Sequence, residues 1–184
     1  MTAILDVDLL LFEQGTAAER RAVVDGVRRS LATGFVYTNS DLSSDMLDTA
    51  YGMLAEFFSQ SAEVKQRFTA PESHGQTGYT GLLVETAASS DVPDWKEMLN
   101  WGITLPPGHP LRDRYPHRYG PQVLPEAAVP GITEVLNRFH HDIEQLQRRF
   151  LRIIAEGLGC HESFFNEMTH HGADRKSTRL NSSH

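Results

Sequence analysis

The triplet His140-His141-Asp142 places an imidazole and a carboxylate two positions apart, a spacing that can chelate a metal ion. Imidazole nitrogens and carboxylate oxygens are common ligands of iron and zinc. Residues two apart share a face in a strand, whereas in a helix they point about 200° apart. The surrounding pattern is helical, so we expect His140 and Asp142 to lie on a solvated helix face and to bind no metal.

We assign no catalytic role to any of the other reactive side chains in this sequence. The adjacent pair His170–His171 is expected at the surface, because neighbouring side chains rarely share a face. Cys160 has no identifiable base to activate it and is expected to pack. Glu85 and Glu97 are expected to form surface ion pairs of little energetic weight, with Lys96 or an arginine.

Helices and strands that the residue pattern predicts must position these side chains. A hydroxyl at Thr16 and a carboxylate at Glu19 predict a capping box that begins a helix. Trp95 and Trp101 are expected to pack in the core or against a sheet. In chain order we predict a strand at 4–9, a helix at 17–33, a buried strand at 35–38, a helix from Ser44, a short helix at 64–68, a strand within 95–105 and an irregular segment at 106–130.

The clearest periodic signal is an apolar stripe over residues 131–156, with intervals of three and four. It predicts a helix of about seven turns, or roughly 39 Å, that ends at the glycines of 157–159.

Length and composition indicate a single globular domain that we expect in the cytoplasm. The chain has 184 residues, of which 40% are hydrophobic and 22% charged. Cys160 is the only cysteine, so no internal disulfide can form. The acidic start and the lack of a long apolar run predict neither a signal peptide nor a membrane helix. The formal charge of −7 disfavours nucleic acid and anionic membranes as partners.

The segment 174–184 differs in character from the chain before it. It has no apolar periodicity and resembles the translation of a common sequencing adapter in one reading frame. We therefore expect residues 1–173 to be a truncated natural segment. Residues 174–184 are expected to be an artefactual tail.

Five short segments occur in a specific order along the chain. They are Gly34-Phe35-Val36-Tyr37-Thr38-Asn39, then Phe57-Phe58 with Ser61-Ala-Glu-Val-Lys65, then Gln76-Thr77-Gly78-Tyr79, then Glu85 with Asp94-Trp95-Lys96-Glu97, and finally Leu158-Gly159 with Glu162-Ser163-Phe164-Phe165. Together they resemble the N-terminal region of the isopenicillin N synthase-like family, the 2-oxoglutarate-dependent non-haem iron oxygenases. The resemblance runs from residue 4 to about residue 168.

The resemblance implies an α+β fold, namely the N-terminal portion of a jelly-roll (double-stranded β-helix) oxygenase with a long backing helix and an incomplete sheet. Two histidines and one carboxylate hold Fe(II) in this family, and they follow the segment that ends at Phe165. The iron ligands should therefore lie beyond this sequence. The stripe from Ile132 to Ile154 should likewise pack on a sheet made largely of residues beyond this sequence, so that the isolated chain would expose a large apolar patch. The implied parent enzyme uses Fe(II), O2 and 2-oxoglutarate to oxidise a small molecule by hydroxylation, desaturation or ring closure. This fragment should bind neither cofactor and should be inactive.

The resemblance also implies that Gln76 and Tyr79 line the substrate mouth, although a purely structural role is an open alternative. Penicillin-forming members have an arginine where Gln76 stands, so a penicillin-type substrate is not expected. The segments 39–41 and 59–60 also depart from the family pattern. Two other functions stay open. One is an oxidase of the same family that uses no 2-oxoglutarate, and the other is a non-enzymatic helical module that binds a partner through the stripe at 132–154.

Overall fold

The computed structural model describes residues 5–87, 91–169 and 180–182. Helices and strands are both present, as the sequence predicts. In chain order the elements are β1 (Leu5–Asp8), α1 (Leu9–Gln14), α2 (Ala17–Ser30), β2 (Val36–Asn39), α3 (Ser44–Phe58), α4 (Ala62–Gln66), a 3-10 turn (Pro71–Ser73), β3 (Gly78–Thr80), β4 (Glu97–Asn100), α5 (Pro110–Arg114), α6 (Ile132–Gly157), α7 (Phe164–Met168) and β5 (Leu180–Ser182). Within the described ranges, no helix has both the length and the apolar character needed to cross a bilayer.

The chain divides into two compact units, of which the first comprises Met1–Ser43 and His141–Ala173. Strands β1 and β2 pair in parallel, with Leu5 opposite Val36. The predicted capping box at the start of α2 is confirmed, since Thr16 and Glu19 bond reciprocally. The core brings together apolar side chains from β1, α1, α2 and α6, namely Val7, Leu9, Phe12, Val23, Val27 and Ile153.

The second unit comprises Ser44–His140 and Asp174–His184. Its sheet has the order β3-β4-β5, and both pairings are antiparallel. An aromatic contact packs α3 against the sheet. The ring centroids of Phe57 in α3 and Tyr79 in β3 lie 5.9 Å apart in an edge-to-face arrangement. The indole of Trp101 donates to the carbonyl of Leu136 in α6 at 3.2 Å. Strand β5 falls in the segment expected to be an artefactual tail, and that expectation stays a prediction.

Helix α6 (Ile132–Gly157) confirms the predicted long helix, and its apolar stripe makes contacts in both units. Each residue of the apolar stripe is buried or half-buried, and Ile132, Leu136 and Ile153 are fully enclosed. In the first unit the stripe packs with β1, α1 and α2. In the second unit Trp101 covers its beginning. These contacts bury part of the stripe, while Ile143, Leu146 and Phe150 are only half-buried. The helical-module alternative therefore stays open.

Two packing predictions were wrong. Residues 35–38 were expected to form a buried strand, yet Phe35 and Tyr37 are exposed. Strand β2 pairs with β1 alone in a two-stranded sheet, so its other edge has no strand beside it among the described residues. Trp101 is buried as predicted, whereas Trp95 is exposed because it precedes the first residue of β4.

Candidate functional site

A cleft of about 440 Å³ lies beside β3 in the second unit. This volume falls within the range of roughly 300–1,000 Å³ that is typical of small-molecule sites. The lining residues come from the segment after α4, the turn before β3, β3 itself and the loop after it, and are Thr69, Ala70, Pro71, His74, Gly75, Thr77, Tyr79, Thr80, Gly81, Val84 and Glu85. The cleft is the candidate binding site of this unit.

Gly78 fixes the position of β3 next to the cleft. Its φ of +84° lies in the left-handed region that favours glycine. A Cβ atom at this position would lie 2.5 Å from the carbonyl oxygen of Phe68, which is too close for any side chain. The same carbonyl accepts a hydrogen bond from the amide of Tyr79 at 2.8 Å. Glycine is therefore required at position 78 both by its positive φ angle and by the lack of space for a Cβ atom. The backbone conformation at Gly78 sets the direction of Tyr79.

Tyr79 lies in the cleft wall, while its hydroxyl donates a hydrogen bond to the Glu97 carboxylate in the protein interior. Burial raises the pKa of the Tyr79 phenol, and the hydrogen bond to Glu97 raises this pKa further. The phenol is therefore protonated at neutral pH and is already engaged as a donor. Tyr79 lies beside this cleft, and its predicted place in the substrate mouth stays a prediction.

A buried ion pair lies behind Tyr79. The Nζ atom of Lys65 is 2.6 Å from Oε1 of Glu97, and these residues are only 7% and 8% exposed. The Lys65 ammonium also donates to the carbonyl of Phe58 at 3.0 Å and lies 5.8 Å from the centroid of the Tyr79 ring. A charge this deep is stable only when it is paired and hydrogen-bonded. We call Lys65, Glu97 and Tyr79 the buried triad.

The prediction that Glu97 forms a surface pair was therefore wrong. All four residues of β4 are buried, which leaves no solvent-facing side to the strand. A signal for this was present in the sequence, because the period of two in a strand places Glu97 on the same face as Leu99 and Trp101. An acid that shares a face with two large apolar residues points inward. Lys65, on a separate helix, could be identified as its partner only from the fold.

The predicted ion pair of Glu85 is confirmed. Lys96 lies 3.2 Å from Glu85 and 2.8 Å from Asp94, and these contacts raise the pKa of Lys96, with that to Asp94 contributing most. Backbone hydrogen bonds link the same loop, from Leu83 to Asp94 at 3.0 Å and from Asp94 to Glu85 at 2.7 Å. At the edge of the cleft, Glu85 thus shares a single ammonium with Asp94.

Gln76, the other predicted substrate-binding residue, is half-buried in the turn before β3. Its backbone amide donates to the carbonyl of Ser73 at 3.0 Å. Gln76 is not among the residues that line the cleft, so the structure brings only Tyr79 of the predicted pair to it. A role for Gln76 in substrate binding stays a prediction.

Among the described residues, no group of three or more His, Cys, Asp or Glu side chains is arranged to hold a metal ion. His140 and Asp142 lie in α6, as predicted, and so do not converge. His140 is buried rather than solvated, because it lies one turn after Leu136 on the inward face. The pair 170–171 lies outside the described residues. The described part of the chain therefore does not fit an iron centre.

Comparison with known proteins identifies similar sequences along most of the chain. Residues 4–127 match the family described as non-haem dioxygenase in morphine synthesis N-terminal. A 2-oxoglutarate-dependent dioxygenase of Gibberella zeae is 34% identical over 110 residues, which cover 59% of this chain and 28% of that protein. A 2-oxoglutarate-dependent dioxygenase of Didymella fabae is 28% identical over 168 residues, which cover 86% of this chain and 50% of that protein. The chain thus spans half or less of the length of these two relatives.

Solved structures show the same similarity in three dimensions. A 2OG-Fe(II) oxygenase family protein from Caulobacter crescentus superposes with a TM-score of 0.75 at 26% identity, covering 90% of this chain and 52% of that chain. A full-length Neurospora crassa protein, solved in complex with alpha-KG and thymine, superposes with a TM-score of 0.66 at 23% identity, covering 89% of this chain and 50% of that chain. The helices and strands described above are therefore arranged as in about half of each of these proteins.

Proposed function

We propose, since this chain belongs to the non-haem dioxygenase N-terminal family, that the whole protein is a 2-oxoglutarate-dependent Fe(II) oxygenase of a small molecule. The family match over residues 4–127 carries this proposal, and the names of the two fungal relatives support it. When bound, Fe(II) and 2-oxoglutarate supply the oxidising chemistry with O2. The reaction would be a hydroxylation, a desaturation or a ring closure, carried out in the cytoplasm.

Residues 1–173 would form the N-terminal part of a jelly-roll enzyme, with the iron ligands in a later part of the polypeptide. The coverage of about half of each matched structure supports this division. The segment 174–184 would then be an artefact rather than a part of the enzyme. On this proposal the present chain is inactive alone and binds neither iron nor 2-oxoglutarate.

The contribution of this chain to substrate binding would be the cleft beside β3. Tyr79 presents its ring to the cleft, and its hydroxyl is tied to Glu97, which is in turn tied to Lys65. The buried triad would thus hold one wall of the substrate mouth at a fixed position. Gln76 lies in the turn before β3, outside the residues that line the cleft. It would contact the substrate only if the substrate reaches past these residues or if the turn reaches toward the substrate.

The test compares the present chain with a version extended by the genomic sequence that follows the codon for Ala173. Equilibrium dialysis with 2-oxoglutarate should show one molecule bound to the extended protein, only when Fe(II) is present, and none bound to the present chain. A stop codon after Ala173, or an extended protein that binds neither Fe(II) nor 2-oxoglutarate, overturns the proposal. An extended protein that binds Fe(II) alone rejects 2-oxoglutarate as the cosubstrate.

A further inference from the structure

We infer that the cleft beside β3 selects a neutral, largely apolar molecule and discriminates against carboxylates and other anions. The inference takes from the proposed function only the premise that this cleft receives the substrate. It concerns the class of substrate, which membership of the family leaves open. Three features of the lining support it, namely its charge, its apolar surface and its hydroxyl groups.

The charge of the lining disfavours an anion. Among the described residues of the lining there is no lysine or arginine, and His74 is the one side chain that can bear a positive charge. Glu85 is the one acid in this described lining, and Lys96, 3.2 Å away, is shared between Glu85 and Asp94. Sites that bind carboxylates typically use an arginine or a lysine whose donors match the anion. A carboxylate in this cleft would find no such partner and would face Glu85.

Apolar side chains occur both in the cleft lining and in the loop after β3. Pro71, Ala70 and the Tyr79 ring lie within the lining, and Val84 extends it outward. Leu82, Leu83 and Val84 are three consecutive exposed apolar residues in this loop. Such a run is costly in water unless another surface covers it. Leu83 also has a φ of +60°, an unfavourable backbone conformation for a leucine, which argues that the loop is built to hold this run in place.

The hydroxyl groups provide a limited polar contact. The hydroxyl of Thr69 donates to the carbonyl of Gln66 at 3.0 Å, and that of Thr77 accepts from the amide of Val123 at 3.0 Å. Both are therefore engaged within the protein. Thr80, on β3, is the remaining threonine of the lining and can bond to one polar group of a ligand. An apolar molecule with a hydroxyl or a carbonyl fits this lining better than a charged one.

A matched pair of probes tests the inference on the present chain. At pH 7, 2-naphthol is neutral and 2-naphthoate is an anion, and the two share the same ring system. Equilibrium dialysis should show that 2-naphthol binds about tenfold more tightly than 2-naphthoate. Val84→Arg, which adds a cation to the lining, should weaken 2-naphthol binding and strengthen 2-naphthoate binding by about fivefold.

Val92→Arg is the control, because Val92 is as exposed as Val84 (67% against 68%) and does not line the cleft. It should leave the affinity for both probes unchanged. The inference is overturned if 2-naphthoate binds as tightly as 2-naphthol, if neither binds, or if Val92→Arg acts like Val84→Arg. These measurements need no iron or 2-oxoglutarate, so their failure is distinguishable from failure of the proposed function, which is read from 2-oxoglutarate binding by the extended protein.

Discussion

Both compact units contain ion pairs, and one pair from each unit shows how different their environments can be. In the second unit, Lys65 and Glu97 are enclosed, with Tyr79 as a third member. In the first unit, Arg149 contacts Glu13 and Asp41 with side-chain exposures of 25%, 19% and 55%. Removing water from two charges costs several kcal/mol per ion, so a buried pair is stable only while it is complete. When one member of a solvated pair is replaced, the free energy of unfolding falls only slightly.

The cations of these two environments also differ in the number of groups that they contact. Arg149 spreads its planar group over two carboxylates, with contacts of 2.6–2.9 Å to Glu13 and Asp41. Arg20 similarly contacts Glu156 and Glu162. Lys65 is instead a compact charge that meets one carboxylate and one carbonyl. A guanidinium has five N–H donors for its acids, whereas the Lys65 ammonium has only three donors to satisfy in the interior.

The largest effect is expected from Glu97→Gln, which keeps the shape of the side chain and removes its charge. Lys65 would remain buried without a counter-charge, and the free energy of unfolding should fall by about 3–5 kcal/mol. Urea denaturation followed by circular dichroism measures this change. Glu85→Gln is the matched control, because Glu85 is half-exposed and its partner Lys96 keeps Asp94. Its effect should be much smaller.

If Glu97→Gln prevents folding, the double variant Lys65→Met with Glu97→Leu keeps the question open to measurement. It replaces both charges by apolar groups of similar volume, and such replacements are often neutral or stabilising. The double variant should therefore be more stable than Glu97→Gln. A double variant no better than the single one, or a Glu97→Gln no worse than Glu85→Gln, would show that the buried charges are not coupled.

A smaller loss is expected from Tyr79→Phe, which leaves the ion pair intact and removes the hydroxyl that bonds to Glu97. The free energy of unfolding should fall by about 1.5–3 kcal/mol, the usual weight of a hydrogen bond to a charged group. Because burial raises the pKa of Tyr79 above 10 in the folded state, its contribution is complete below pH 10 and is lost as the pH rises further. Urea denaturation at about pH 8 and about pH 11 should show that Tyr79→Phe lacks part of this alkaline loss. An unchanged alkaline loss would contradict the assigned cause.

The sequence predicts local structure of this protein well and its enclosed charges poorly. The capping box at Thr16 and the stripe of α6 depend on residues three and four apart, and both were predicted. Helix α1 was missed because its run of leucines has no polar face, although Asp8 caps it by accepting from two backbone amides. The motif order identified the family because it records the arrangement of several elements at once.

The candidate site shows the same limit. The resemblance implied a place in the substrate mouth for Tyr79 through the Gly-Tyr motif, and Gly78 is required in that motif by its backbone conformation. His74 and Leu83 adopt positive φ angles that the residue types do not predict, and they shape the turn before β3 and the loop after it. The partnership of Lys65 with Glu97 joins α4 to β4 and depends on the packed sheet. No periodicity within either element could indicate it.

A still smaller loss in the free energy of unfolding is expected in the first unit from Arg149→Met. This substitution removes the ion pairs of Arg149 with Glu13 and Asp41. The loss should be about 1 kcal/mol in low salt and should shrink at about 1 M NaCl, where screening is strong. The loss from Glu97→Gln should change little with salt, because the pair is enclosed. Arg67→Met is the control, since its pair with Glu63 is exposed and 3.4 Å long. Equal salt dependence for Arg149→Met and Glu97→Gln would remove the distinction between the two environments.

The smallest effect is expected on the acid side, from Glu162→Gln in the first unit. Hydrogen bonds from Arg20, and secondly from Arg152, hold the pKa of Glu162 below its ordinary value of 4.5. A carboxylate with a lowered pKa contributes stability above its unfolded value and loses it as the pH falls. Thermal melts between about pH 5 and about pH 3 should therefore show a shallower decline for Glu162→Gln than for the wild type, a difference worth under about 1 kcal/mol. Asp41→Asn should act similarly, because Arg149 lowers the pKa of Asp41. If both variants decline as steeply as the wild type, the solvated pairs contribute nothing to acid stability, and their contrast with the buried triad is larger than these magnitudes imply.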